Sequence, residues 1–385
     1  MKKFALLSHV LPPSPSGQSV MLYRILARID PADYYLVSSQ ARQAASDSLN
    51  LQCQGFTLPP APALGFGGQR LRNLVNLATG ILARASGLLA LLRRQPARAL
   101  IACTGDLADI PAAFIASRLA RIPFYAYIFD DYVYQWTGNY RRFAGWVARL
   151  VFKHATGVIG PNEFICQEYH RRYGISPSLV RNPCDATELD REPYAAWPTE
   201  SDRIKLVYTG AIYHANYDCF RNLLSALELL HQYPLELHIY TAQTRAQLEE
   251  QGIRSDRIIL HAHVPYNEIL REQRRADILF LPLAFDSPIP EVIRTSAPGK
   301  LGEYLASGRP ILSHVPADSF VADYCARHAC AALARQNDPA ALAREIERII
   351  REPGYRRDMT QNAQTRAQAD FSPAQASEAF LRAIS

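Results

Sequence analysis

A lysine and a glutamate three residues apart, Lys300 and Glu303, stand in the run Thr295-Ser296-Ala297-Pro298-Gly299-Lys300-Leu301-Gly302-Glu303. Thr295 and Ser296 ahead of Pro298 read as the start of a helix, which Ala306-Ser307-Gly308 would end before a new strand. Both charged residues then fall in the first turns. Exposed amides and an ammonium there suit a diphosphate, and a carboxylate one turn on suits paired ribose hydroxyls. The plainer account of the same spacing is a surface ion pair, worth about 0.2–0.5 kcal/mol.

Three other segments have residue types suited to a site. Phe129-Asp130-Asp131-Tyr132 follows the apolar run Phe124–Ile128 and sets two carboxylates at the carboxyl end of an expected strand. Acids at that point accept a proton, orient a sugar hydroxyl or hold a cation, or else one of them caps the next turn. Ser14-Pro15-Ser16-Gly17-Gln18-Ser19 follows the opening strand and leads into an amphipathic helix near Val20. Gly17 would allow close backbone approach to an anion or hydroxyl, and the alternative is a proline-stiffened turn with Ser19 as helix cap. In Tyr208-Thr209-Gly210-Ala211 a glycine at a strand end permits approach to a phosphate or base, or simply makes a turn.

Short apolar runs alternate with amphipathic stretches along the whole chain, which predicts an α/β protein built on parallel strands. Strands are expected at Phe4–His9, Tyr34–Val37, Ala99–Ala102, Phe124–Phe129 and Gly157–Gly160. A second series follows at Lys205–Thr209, Leu235–Tyr240, Ile258–Ala262, Ile278–Leu281 and Pro310–Ser313, with helices over Cys219–His231 and Glu268–Arg275. Between the two series, residues 186–203 have no clear period and read as a linker. The organisation predicted is one Rossmann-like domain over residues 1–185 and a second over 204–385, with the last helix packing back on the first. Ligands in such sheets gather beyond the carboxyl ends of the strands.

At 385 residues, 48% of them hydrophobic, the chain is that of a folded protein with more than one core. Seven cysteines without framework spacing fit a reducing compartment, and no ligand set has the spacing of a metal site. A cytoplasmic protein with neither metal nor cofactor is expected. The formal charge of +6 is unevenly spread: from Ser48 to Gly105 there is no acid, while Arg70, Arg72, Arg84, Arg93, Arg94 and Arg98 fall there. Nucleic-acid binding is not expected, because aromatics do not interleave with these arginines. The apolar stretch Leu71–Leu92 is broken by polar residues and predicts no membrane span. Phe143, Trp146, Val147, Leu150 and Val151 recur at helical spacing among Arg141, Arg142, Arg149 and Lys153. This stripe predicts either core packing or peripheral docking on an anionic membrane.

Several segments, in order, resemble glycosyltransferase family 4. Val180-Arg181-Asn182-Pro183-Cys184-Asp185 stands where the family has "NGVD", Val207–Gly210 is similar to its "VG" strand, and Val264-Pro265-Tyr266-Asn267-Glu268 to "VPYEEL". Ala276–Pro282 resembles "ADVFVLPS" and Gly302–Leu312 "LEAMASGVPVV", which puts Glu303 on the second glutamate of the E-x7-E motif. The resemblance implies the GT-B fold, two Rossmann-like domains facing each other across a cleft. It implies a retaining transfer from a nucleotide-sugar donor to a saccharide or lipid-linked acceptor. Glu303 would bind the ribose, Ser296, Ala297, Pro298, Gly299 and Lys300 would lie by the phosphates with Thr209 and Gly210, and Ser16, Gly17, Gln18 and Tyr132 would line the acceptor side. Thr295 replaces the family's first glutamate, with Glu291 out of register. Ala211 and Asn216 replace its basic pair, for which Arg221 and Arg294 are the substitutes considered. Asp130 and Asp131 occupy the region of a catalytic histidine and, with Lys300, are the catalytic candidates. A non-catalytic GT-B protein that binds a sugar nucleotide or a partner enzyme is the alternative.

Overall fold

The computed structural model describes residues 3–14, 16–38, 50–60, 68–184, 197, 203–262, 264 and 266–385. The chain forms two units, Met1–Asn182 together with Pro373–Ser385, and Pro183–Ser372. Of the expected linker only Trp197 and Arg203 are among the described residues, and Asp185 and Pro265 of the family-like segments lie outside them.

In the first unit β1 (Phe4–Leu7), α1 (Gly17–Leu26), β2 (Tyr34–Ser38), β3 (Gln54–Thr57), α2 (Gln69–Arg94), β4 (Ala99–Cys103) and α3 (Asp109–Ala120) follow one another. β5 (Phe124–Tyr127), α4 (Gly138–His154), β6 (Gly157–Gly160), α5 (Glu163–Tyr173) and β7 (Ser178–Leu179) complete the run. All strand pairs are parallel, in the order β3-β2-β1-β4-β5-β6-β7. The central strands are apolar throughout, as a sheet covered on both faces requires.

The second unit holds β8 (Ile204–Thr209), α6 (Tyr217–Leu229), β9 (Leu235–Tyr240), α7 (Arg245–Glu249), β10 (Ile258–His261), α8 (Tyr266–Arg275) and β11 (Ile278–Pro282). It continues with α9 (Pro290–Thr295), α10 (Gly299–Ala306), β12 (Ile311–His314), α11 (Phe320–His328), β13 (Ala332–Ala334), α12 (Pro339–Arg351) and α13 (Pro353–Asp370). Its six parallel strands run β10-β9-β8-β11-β12-β13. α12 shows how the sequence builds these helices: Asp338 caps it, Pro339 opens it, and Leu342, Ile346 and Ile349 form its buried stripe. α14 (Pro373–Ala383) belongs to the first unit. There Phe380 meets the rings of Phe4 and Tyr127, and Ser377 donates to the Ile25 carbonyl at 2.7 Å.

Every expected strand forms within two residues of its bounds, whereas β3, β7 and β13 were not anticipated. Those three lie at the ends of the sheets or are too short to carry a pattern; β3 is mostly exposed and β7 has two residues. α1 also starts earlier than Val20. Ser16, not Ser19, is its cap, accepting from the Ser19 amide at 3.3 Å, and Ser19 is buried in the first turn. Thr295 and Ser296 do not open α10: Thr295 ends α9, and α10 starts at Gly299 with no side-chain cap.

The helix within α2 over Arg72–Arg94 is unbroken, and by length and composition it could cross a membrane. Ile81, Ala85, Leu88 and Leu92 nevertheless pack into the core of the first unit, so one face of α2 is committed to it. The other face leaves Leu74 57% and Leu82 62% exposed.

Candidate functional site

In the second unit the loops after β8 and β11 leave neighbouring central strands at the point where the strand order reverses, the place where open α/β sheets hold ligands. The β8 loop begins at Gly210, whose φ of +120° is one that L side chains rarely adopt. A Cβ there would lie 3.1 Å from Nζ of Lys300. Lys300, in the first turn of α10, extends its ammonium over the Tyr208 ring, 4.0 Å from the centroid. The ring is itself fixed: the Tyr208 hydroxyl donates to the Ala211 carbonyl at 2.6 Å and accepts from the Asn216 amide at 3.1 Å. Although solvent reaches part of Lys300, desolvation lowers its pKa, and the hydroxyl of Tyr304 and the carboxylate of Glu303 act in the opposite sense. Such an ammonium gains from an incoming anion.

Glu303 is buried one turn further along α10, and its Oε2 accepts from Nε2 of Gln273 at 3.0 Å. The same amide lies 3.2 Å from Oγ1 of Thr209, and the Tyr304 hydroxyl lies 3.3 Å from that oxygen and from the Thr209 amide nitrogen. Lys300, Glu303, Thr209 and Gly210 are thereby brought together. Ser296, Ala297, Pro298 and Gly299 form the half-buried approach to the uncapped start of α10. An ammonium, helix-start amides with no side-chain cap and a fixed carboxylate can hold a diphosphate next to a diol.

Arg221 is not part of this group. It is exposed on α6, donates to the Gln251 carbonyl at 3.1 Å, and lines a surface depression with Gly252, Arg254 and Arg257. Arg294 is half-buried in the last turn of α9. Thr295 is buried, and its hydroxyl donates back to the Glu291 carbonyl at 3.0 Å. Asn216, in the place of a basic residue, is buried and knits the β8 loop.

In the first unit the two acids of the Asp130 pair part company. Asp131 is 1% exposed; it accepts from the amides of Val133 and Tyr134 at 2.9 Å and pairs with Arg172. It caps a turn and neutralises the half-buried guanidinium of Arg172. Tyr132 is fully buried, and its hydroxyl donates to the Leu107 carbonyl at 2.8 Å. Asp130 is exposed. Its pKa is raised, first by desolvation from its dense surroundings and then by repulsion from Asp131. Thr104, buried just after β4, holds this strand end by accepting from the amides of Phe129 and Asp130. At the β1 end Ser16 and Gly17 open α1, and Gln18 donates to Oγ of Ser8 at 3.0 Å.

Gln273, Tyr208, Tyr304 and Thr104 were not singled out from the sequence. A glutamine on the buried side of an otherwise charged helix is a weak signal, and the tyrosines read as ordinary strand and helix core.

Residues 203–352 match the family described as Glycosyl transferases group 1. Among solved structures the chain is similar to a glycosyltransferase from Rickettsia africae, at 11% identity and TM-score 0.71 over 99% of this chain and 97% of that one. Sucrose-phosphate synthase from Thermosynechococcus elongatus is similar at 15% identity and TM-score 0.69, over 99% and 98%. Anabaena HepE, in complex with UDP and glucose, is similar at 14% identity and TM-score 0.68, over 99% of both chains. No curated protein matches in sequence. At these identities the likeness is one of fold. Two Rossmann-like units with parallel sheets of seven and six strands make this a GT-B protein.

Proposed function

We propose that this chain is a glycosyltransferase that moves a sugar from a nucleotide diphosphate to a saccharide or lipid-linked acceptor in the synthesis of bacterial surface polysaccharide or glycoconjugate. The observation that carries this reading is Lys300 poised over Tyr208 beside Gly210, with Glu303 held by Gln273, in the segment that matches the glycosyl transferase family. As the bond from the sugar to the diphosphate breaks, negative charge grows on the leaving phosphate. A fixed ammonium and uncapped amides stabilise that charge more than the ground state. Glu303 orients the ribose. Asp130, on the first unit, takes the proton of the acceptor hydroxyl or orients the sugar. The family resemblance supports a retaining course that needs no metal. The test is binding and turnover of a panel of UDP-, GDP-, ADP- and dTDP-sugars; no binding of any member would overturn the reading.

A second reading has an observation of its own. Thr295 turns its hydroxyl into its own helix where the resemblance expects a glutamate, and Asn216 is spent on the loop. A non-catalytic protein that holds a sugar nucleotide would therefore bind a panel member and never release its sugar.

We also propose that the first unit docks on an anionic membrane face of the cytoplasm. In α4, Val147 and Val151 are core residues, while Trp146 is 64% exposed and Leu150, Arg142, Arg149 and Lys153 are exposed around it. The uncovered face of α2 adds Leu74 and Leu82, with Arg93 and Arg94 exposed at its end. Apolar tips set among cations suit a lipid interface, where each basic residue contributes about 1 kcal/mol.

A further inference from the structure

In the first unit β1 and β4 are the neighbours at which the strand order reverses: the chain runs from β1 to β2 and β3 on one side and from β4 to β7 on the other. Leu7 pairs with Ala102, so His9 and Gly105 emerge beside each other where the two loops diverge. Gly105 has φ +116°, and a Cβ on it would lie 2.0 Å from Cε1 and 2.7 Å from Nδ1 of His9. The imidazole therefore occupies the space of the missing side chain and rests on the backbone of the neighbouring strand's loop. The ring is half-buried, and among the described residues neither of its nitrogens has a hydrogen-bond partner. An enclosed polar atom without a partner is costly, and a ligand group that meets it recovers the loss.

The surroundings of the ring are fixed and balanced in charge. Asp106 accepts from the Ala108 amide at 2.8 Å and pairs with Arg84 of α2, which also stands 2.7 Å from Asp109. On the other side Ser8 donates to the Val10 carbonyl at 2.6 Å and accepts from Gln18, which holds the loop to the start of α1. Desolvation lowers the pKa of His9, with Asp106 opposing and Arg84 reinforcing, so the ring is neutral at pH 7. A neutral imidazole offers one acceptor and one donor, the complement of a hydroxyl, whereas an anion would call for the protonated form.

We propose that His9, seated on Gly105 at the β1–β4 divergence, is the hydroxyl-binding group of a saccharide site on the first unit. The inference rests on the glycosyltransferase reading only in naming the saccharide as the acceptor. One hydroxyl of the saccharide donates to the ring nitrogen that carries the lone pair, or a hydroxyl oxygen accepts from the ring N–H; no bond is made or broken at His9.

Imidazole nitrogen NMR of the full chain tests it, with His9→Gln and His9→Asn assigning the signal. Methyl glycosides of glucose, galactose, mannose, rhamnose and N-acetylglucosamine are the probes. At least one should move the His9 signal while His314, buried in the second unit, stays put. If none moves it, the inference is wrong. With a donor found by the nucleotide-sugar panel, His9→Gln should raise the KM for the active glycoside about tenfold, leave the donor KM unchanged and melt with the wild type. Unchanged acceptor KM overturns the inference. A chain that turns over no nucleotide sugar sinks the transferase reading, and the NMR titration still decides His9.

Discussion

Nζ of Lys300 stands 4.0 Å above the centroid of the Tyr208 ring, and the residue two beyond that tyrosine is a glycine whose absent side chain leaves the ammonium its room. Lys300→Ala is expected to weaken nucleotide-sugar binding or turnover about tenfold to hundredfold, the effect of losing one charged hydrogen bond. Gly210→Ala should act in the same direction, because it strains a backbone at φ +120° and crowds the ammonium. Steady-state kinetics with the preferred donor, beside melting curves, check both; wild-type kinetics in Lys300→Ala would remove the donor-site assignment.

Gln273 ties Thr209 to Glu303 through one amide group. Glu303→Ala should lower donor affinity by about tenfold to hundredfold, and Gln273→Leu by less, since the carboxylate remains but is no longer aimed. Calorimetric titration with the free nucleoside diphosphate ranks the two; equal loss in both variants would mean that Gln273, not Glu303, meets the nucleotide.

The two neighbouring acids should fail in different ways. Asp131→Ala is expected to cost about 3 kcal/mol of stability, the low end for a broken buried pair, because Glu168 remains 2.8 Å from Arg172. Asp130→Asn should melt like the wild type and lower turnover. The raised pKa of Asp130 places an acid limb of kcat/KM above the ordinary carboxylate range, and the asparagine variant should lack it. Denaturant melts and a pH–rate profile separate these outcomes, and a limb unchanged in Asp130→Asn would assign it to another group.

Asp109 is pushed up from its ordinary 3.8 to about 7 by desolvation and by Asp106, against the pull of Arg84. A carboxyl that binds its proton more tightly folded than unfolded adds stability at acid pH, and that contribution is lost as pH rises from about 4 through about 7. Asp109→Asn should flatten the stability profile in this window. A variant profile parallel to the wild type would show that the Arg84 pair already keeps Asp109 ionised.

Trp146→Ser and Arg149→Glu should each weaken co-sedimentation with anionic vesicles at low salt. The charge reversal should be the more salt-sensitive of the two, at about fivefold per kcal/mol lost. Neutral vesicles serve as the reference; equal recovery on both vesicle types by the wild type would end the docking proposal.

The strand series was legible in the sequence because buried parallel strands are apolar throughout, and the ordered segments from Val207 to Leu312 pointed to the GT-B fold. Lys300 and Glu303 were readable for the same reason: spacing along one helix places them in successive turns whatever packs around it. What the sequence alone could not decide were relationships across strands and helices. Asp130 and Asp131 are equivalent on paper, yet Arg172, 41 residues later, claims only one of them. Arg221 is as basic as the residue it was meant to replace, but its position on α6 turns it toward Gln251. The glutamine that steadies Glu303 comes 30 residues before it, and the glycine that seats His9 comes from another strand's loop. Local pattern reports which face of an element is buried; which side chain meets which is set by sheet order and register, which exist only once the chain has folded.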